Sequence, residues 1–330
     1  MTNSSQESTE FRLFSRNLAR AALVPLTMVL ILLFASVAGA AGMGKEKKKP
    51  DPSGETSLEN SEESPDLSYF TLIWELDTEA RGRRHAIVPY NSNYGLVMTY
   101  NTSPNLAPWL AVNPEKTLTK PEVTFQLSFK TKLWEDVFGQ PIDLWFGYTQ
   151  RSFWQLYNFD DSSPFRETNY EPELLINYRT RISLLGIHLR FITLALNHQS
   201  NGQTEPLSRS WNRIMLNFGL ERGRFSALLK TWLRFPEPDE DNDNPEITKY
   251  LGHGELWVYY FVKRHRLGIM VRDNLRFDEN RGAIQIEWSF PLFAQVAGYV
   301  QGYYGYGESM LDHDHKVTRI GLGFILTDWN

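Results

Sequence analysis

From about Tyr90 to the end of the chain, apolar and polar residues alternate in short runs separated by turns and polar loops, and no long helical pattern interrupts them. Val123, Phe125, Leu127 and Phe129 alternate with Thr124, Gln126, Ser128 and Lys130, and Leu144, Phe146 and Tyr148 with Asp143, Gly147 and Thr149. Ile284, Ile286, Trp288 and Phe290 alternate with Ala283, Gln285, Glu287 and Ser289, and Ile320, Leu322, Phe324 and Leu326 with Arg319, Gly321, Gly323 and Thr327. A repeat of two residues is that of a strand, whose successive side chains point to opposite faces. Each run therefore predicts a strand with one oily and one polar face.

A water-soluble sandwich shows the same alternation, with the oily face inside. The composition of the two faces separates the cases. Here the polar faces mix glycine and threonine with Arg, Glu and Gln, which suits a crowded polar lumen; the oily faces are richest in Phe, Leu, Ile, Trp and Tyr, which suits lipid and aromatic girdles. Tight connections such as Glu221-Arg222-Gly223-Arg224 and Lys263-Arg264-His265-Arg266 alternate with long polar ones such as Glu237 to Asn244. Short turns at one end and long loops at the other fit an outer-membrane barrel. The expected fold is all-β, an antiparallel transmembrane β-barrel of about twelve strands that crosses the bacterial outer membrane many times. A soluble periplasmic lipid-binding sandwich is the alternative.

The amino-terminal region departs from this pattern. Arg12, Arg16 and Arg20 precede an apolar run from Ala21 to Ala41 that closes with Ala38-Gly39-Ala40, the layout of a cleaved signal peptide over residues 1–41, with a membrane anchor as its rival. Residues 42–85 are expected to form a flexible segment: from Lys45 to Asp66 they are rich in Lys, Glu, Ser, Pro and Asp, too polar to offset the entropy of ordering. Within them, Tyr69 to Trp74 reads as a short anchor. The barrel domain is assigned to residues 86–330. The chain of 330 residues has no cysteine, which excludes disulfides and thiolate metal sites. Its formal net charge of -5, without a basic block, argues against nucleic acid as a partner.

Candidate chemistry lies in Leu194-Ala195-Leu196-Asn197-His198-Gln199-Ser200-Asn201-Gly202. On a strand, His198 and Ser200 share a face with Ile192, Leu194 and Leu196, so a base and a hydroxyl sit two residues apart on the greasy side. A serine needs such a base to take its proton, and the base needs a third group to hold it in one tautomer. A second alternating run, Ser210 to Phe218, begins after a loop and places Asn212 at the polar end of its own apolar face. Antiparallel pairing of the two runs would bring Asn212 close to His198. Charge at the bilayer midplane is costly, so these residues should lie at strand ends in the headgroup zone, facing lipid esters. Chance placement of His and Ser near a loop is the bland alternative. Gln150 is a further anomaly, an amide that continues the oily face of Leu144, Phe146 and Tyr148.

From about Tyr90 to Trp329 the chain resembles the outer-membrane phospholipase A family of Gram-negative bacteria. The resemblance rests on Gly147-Tyr148-Thr149-Gln150, on Ser162-Ser163-Pro164-Phe165-Arg166-Glu167-Thr168-Asn169-Tyr170-Glu171-Pro172, on Asn197-His198-Gln199-Ser200-Asn201-Gly202 and on Ser208-Arg209-Ser210-Trp211-Asn212-Arg213. Asn244-Pro245-Glu246-Ile247-Thr248-Lys249-Tyr250 and Gly305-Tyr306-Gly307-Glu308-Ser309 extend it. It implies a calcium-dependent lipase that hydrolyses the acyl esters of glycerophospholipids, with A1, A2 and lysophospholipase activity. Ser200 would be the nucleophile, His198 the base and Asn212 its orienting partner, with the Gly202 N–H in the oxyanion hole. The implied Ca2+ ligands are the hydroxyls of Ser162 and Ser208 and the carbonyl of Gln203, with a further site at Glu205 and Asp243. The resemblance also implies activation by dimerisation, with Gln150 at the interface. Gln199 and Gln203 depart from the family's usual acidic residue and arginine, and Glu205 is longer than the residue it replaces. The terminal Trp329-Asn330 lacks the final aromatic usual in barrels. The rival from another class is a catalytically silent barrel, a pore or structural protein.

Overall fold

The computed structural model describes residues 68–77, 81, 85–293 and 295–326. The expected signal peptide and the carboxy-terminal Trp329-Asn330 lie outside these residues. Among the described residues, thirteen strands form one antiparallel sheet. They are β1 (Ile87–Pro89), β2 (Asn93–Asn101), β3 (Pro121–Trp134), β4 (Ile142–Trp154), β5 (Phe165–Leu184), β6 (Ile187–Ser200), β7 (Ser210–Arg222), β8 (Phe225–Arg234), β9 (Gly254–Val262), β10 (His265–Asp273), β11 (Gly282–Phe293), β12 (Val296–Tyr306) and β13 (Lys316–Leu326). From β2 on, neighbours in sequence pair with each other, β13 returns to pair with β2, and β3 pairs with both β2 and β4. Twelve strands, β2 to β13, thus close into a ring; β1 pairs with the far half of β3 and prolongs the line of β2. Closure leaves no edge of unpaired backbone, a requirement for a sheet in hydrocarbon.

Burial along the strands is inverted relative to a soluble protein. On β6, Thr193 and Asn197 are buried while Leu194 and Leu196 are exposed; on β11, Gln285 and Glu287 are buried while Ile286 and Trp288 are exposed. On β13, Arg319 is buried between exposed neighbours that include Ile320. Such an outside is a lipid-facing band, which excludes the sandwich reading. Inside, charged groups are paired as burial demands. Arg166 bonds Glu122 and Asp312, Arg319 bonds Glu308 and Gln301, and Arg266 bonds Glu287.

A short helix, α1 (Tyr69–Trp74), enters this lumen within the stretch expected to be a flexible segment. Ser68 caps it by accepting the Thr71 N–H. Six residues are too few to hold a helix alone, so packing must supply its stability. The Phe70 N–H donates to Glu221 at 3.0 Å, Trp74 packs on Phe191 and Trp145, and Tyr69 meets Tyr259 and Phe261. The Lys130 ammonium lies 3.2 Å from the centre of the Trp74 ring, and Lys132 pairs with Glu75 at 2.6 Å. Glu221, Phe261 and Lys132 all adjoin the short turns, so α1 occupies that end of the barrel. The loops 102–120, 155–164, 201–209, 235–253, 274–281 and 307–315 form the other end.

Candidate active site at the long-loop end

The β6–β7 hairpin sets the site. Its register places His198 opposite Asn212 and Ser200 opposite Ser210. Both strands keep the period of two up to the loop, so the polar ends of their outward faces coincide. His198 Nδ1 lies 2.8 Å from Asn212 Oδ1, on the exposed side of the barrel. Ser200 stands two residues farther along the same face, half-buried beside Tyr170 of β5, its partner in register. Among the described residues no hydrogen bond joins Ser200 to the imidazole; such bonds often tighten only when substrate is bound. Other histidines at this end differ in setting. Burial holds His253 below the ordinary imidazole value, and burial, opposed by the Asp314 carboxylate, does the same for His313.

The loop that follows is braced by Asn201. Its side chain is buried; Nδ2 donates to the Leu207 carbonyl, and Oδ1 accepts from the backbone N–H groups of Gln203 and Arg209. Gly202 takes a φ of +65°, and a Cβ there would lie 3.1 Å from the Tyr170 ring, so both backbone conformation and space select glycine. Gln199 points the other way, into the lumen, where its carbonyl accepts from Trp211 and Arg213.

The residues expected to hold calcium are partly assembled. Ser208 Oγ donates to Asp243 Oδ2 at 2.5 Å, which joins one member of each expected site. Glu205 is exposed in the β6–β7 loop. Ser162 is exposed on the β4–β5 loop with a φ of +56°, and its neighbour Ser163 is engaged by Trp154, Asn158 and Leu156. Among the described residues no three His, Asp or Glu side chains converge on one point. The available donors are hydroxyl, carboxylate and carbonyl oxygens, the hard set that Ca2+ takes.

Gln150 lies on the outward face of β4, paired in register with Leu127 and Tyr170. Its amide already has partners within the chain: Tyr148 Oη donates to Oε1 at 3.1 Å and Nε2 donates to Ser152 Oγ at 3.3 Å. An unsatisfied amide therefore does not by itself require a second copy.

Sequence reasoning missed Glu237. Its Oε1 accepts from Asn212 Nδ2 at 3.2 Å, and its Oε2 pairs with Arg234 at 2.5 Å. The available signal was the Pro236-Glu237-Pro238 segment, a stiffened acidic residue just past a strand.

The fold defines an integral outer-membrane β-barrel, and its long-loop end presents a base and a hydroxyl to the lipid side. Comparison with known proteins specifies the class. The sequence model of the family described as Phospholipase A1 matches residues 70–326. Phospholipase A1 of Escherichia coli K12 is 37% identical over 242 residues, covering 73% of this chain and 82% of the relative. Phospholipase A1 of Salmonella typhimurium shows the same identity and coverage. Among solved structures, the outer membrane phospholipase A of Escherichia coli aligns with a TM-score of 0.70 at 36% identity, over 74% of this chain and 95% of that one. The Salmonella typhi outer membrane phospholipase dimer with bound calcium aligns with a TM-score of 0.72 at 34% identity, over 81% of this chain and 100% of that one. The chain belongs to the phospholipase A1 family and is an outer-membrane ester hydrolase.

Proposed function

We propose that this chain hydrolyses the acyl esters of glycerophospholipids, at either acyl position and on lysophospholipids, through Ser200, His198 and Asn212 on the lipid-facing surface. The hydrogen bond from His198 Nδ1 to Asn212 Oδ1, 2.8 Å long, carries the reading. Oδ1 is an acceptor, so the bond places the imidazole proton on Nδ1 and leaves a lone pair on Nε2. Nε2 takes the Ser200 proton as Oγ attacks the ester carbonyl carbon. The imidazolium then returns that proton to the departing alcohol, leaving an acyl-enzyme that water cleaves by the same route. The Gly202 N–H serves the oxyanion, and glycine is required there for the reasons given above.

Calcium, when bound, would supply positive charge near the developing oxyanion. The hydroxyls of Ser162 and Ser208, the Gln203 carbonyl and the carboxylates of Asp243 and Glu205 are the residues that would hold it. The active form in this reading is a homodimer whose interface includes Gln150. The relative from Salmonella typhi, a dimer with bound calcium, supports a metal and a homodimer in this reading. A passive pore is disfavoured because, among the described residues, α1 and paired buried charges occupy the lumen while His198, Ser200 and Asn212 stand on the lipid side.

The test is phospholipid hydrolysis by the detergent-folded protein with calcium or with chelator. Ser200→Ala should cost on the order of 10^4-fold or more in kcat with folding unchanged. Chelator should suppress the wild-type enzyme and added calcium restore it. Full activity of folded Ser200→Ala would remove the triad, and indifference to chelator would remove the metal.

A further inference from the structure

The side-chain amide of Asn212 has nearly the same shape when rotated by half a turn, but the two orientations have opposite consequences. With Oδ1 toward His198, the imidazole proton sits on Nδ1 and Nε2 is free to act as base. With Nδ2 toward His198, the proton must sit on Nε2, and the ring cannot accept from Ser200. Something must choose between them.

Glu237 has the chemistry to do so. An ionised carboxylate only accepts hydrogen bonds, so its Oε1, 3.2 Å from Asn212 Nδ2, admits one amide orientation. The carboxylate is itself held. Arg234 Nη2 pairs with Oε2 at 2.5 Å, and the Glu237 side chain is 15% exposed. Arg234 is fixed in turn by the side-chain oxygens of Asn242 and Asn244 at 2.6 and 3.0 Å and by the Asn244 carbonyl at 2.9 Å. Pro236 and Pro238 flank Glu237 with fixed φ, which limits the entropy lost in presenting it. The Phe235 N–H donates to the Asn212 carbonyl at 2.8 Å, tying the same segment to the strand end.

We propose that Glu237 is a positioning residue for hydrolysis: it holds the Asn212 amide with Oδ1 toward His198. Its negative charge, polarising that amide, favours the imidazolium formed during attack. The proton moves from Ser200 Oγ to His198 Nε2 and back to the leaving group; none passes to Asn212 or Glu237. The proposal rests on the Ser-His-Asn reading and adds the group that orders it.

The experiment compares Glu237→Gln in two backgrounds, with folding followed by heat-modifiable migration. In the native background, a glutamine can donate as well as accept, so the orientation and the charge are both lost. We expect kcat to fall about tenfold, roughly the effect of one such interaction, with KM little changed because Glu237 does not touch substrate. In the Asn212→Asp background, the introduced carboxylate faces Glu237 and is repelled by it. There Glu237→Gln supplies a donor and should raise kcat, a reversal of sign that a merely structural role would not produce. An unchanged kcat in the native background, or an equal loss in both backgrounds, overturns the proposal. If Glu237→Gln alone does not fold, the comparison within the Asn212→Asp background decides the matter. Ser200→Ala, run alongside, separates the two levels: an active Ser200→Ala removes the triad, whereas an inactive one with unimpaired Glu237→Gln removes Glu237 alone.

Discussion

Asn212 links the β6–β7 hairpin to the segment that follows β8, because its side-chain oxygen faces His198 while its amide nitrogen faces Glu237. In the proposed triad it orients without reacting, so Asn212→Ala should slow hydrolysis less than Ser200→Ala does. We expect its loss in kcat to be roughly 10- to 100-fold smaller than that of the nucleophile variant, measured on the same detergent-folded preparation. Equal losses would mean that Asn212 supports the fold of the site and not the imidazole alone. The legibility of these residues in the sequence has a physical basis. A period of two assigns His198 and Ser200 to one face, and a single loop, 201–209, assigns Asn212 to the facing strand end. Glu237 was not legible, since its contact with Asn212 spans 25 residues and originates in a loop rich in other carboxylates. Nothing local distinguishes Glu237 from Asp239 or Glu240 except the prolines on either side.

At the scale of elements, the strands were readable and α1 was not. Alternation reports which face meets lipid, and the inverted burial of β6, β11 and β13 follows it residue by residue. In Tyr69–Trp74, six consecutive residues are mostly apolar, too short for any period and preceded by a polar segment. Its partners, Lys130, Trp145, Phe191 and Glu221, are 56 residues or more away in sequence, so an anchor was legible but its destination was not. The depth of Trp74 makes a prediction at this scale. Trp74→Ala removes the ring that covers the Lys130 ammonium and packs on Phe191, and large-to-small changes of this kind cost about 3–5 kcal/mol. Its heat-modifiable transition should fall in temperature, and bilayers holding the variant should conduct ions more readily. Hydrolysis in detergent should be spared, because α1 lies at the short-turn end and the proposed triad at the long-loop end. Unchanged conductance would mean that the charged network closes the lumen without α1.

For the whole molecule, the proposed activation by dimerisation turns on the outer surface of β3 and β4. Leu127 of β3 and Phe146 of β4 are exposed to lipid, near a Gln150 amide whose needs are met by Tyr148 and Ser152. Exchange of those internal bonds for contacts with a second copy would be close to neutral in hydrogen bonding. Dimer formation would then be governed by packing and by the surrounding lipid, and so remain reversible. Such a balance suits a switch better than a permanent contact, because a small change in the membrane can move it. Gln150→Ala tests this with the triad intact. It removes the amide but keeps the apolar band, so the variant should fold normally, crosslink less during turnover and lose activity in proportion to the dimer lost. Calcium should increase crosslinking of the wild-type protein if the metal and the interface are linked, since a ligand that binds one state better shifts the population toward it. Full turnover by Gln150→Ala in a form that stays monomeric throughout would show that one barrel suffices and would remove the dimer switch.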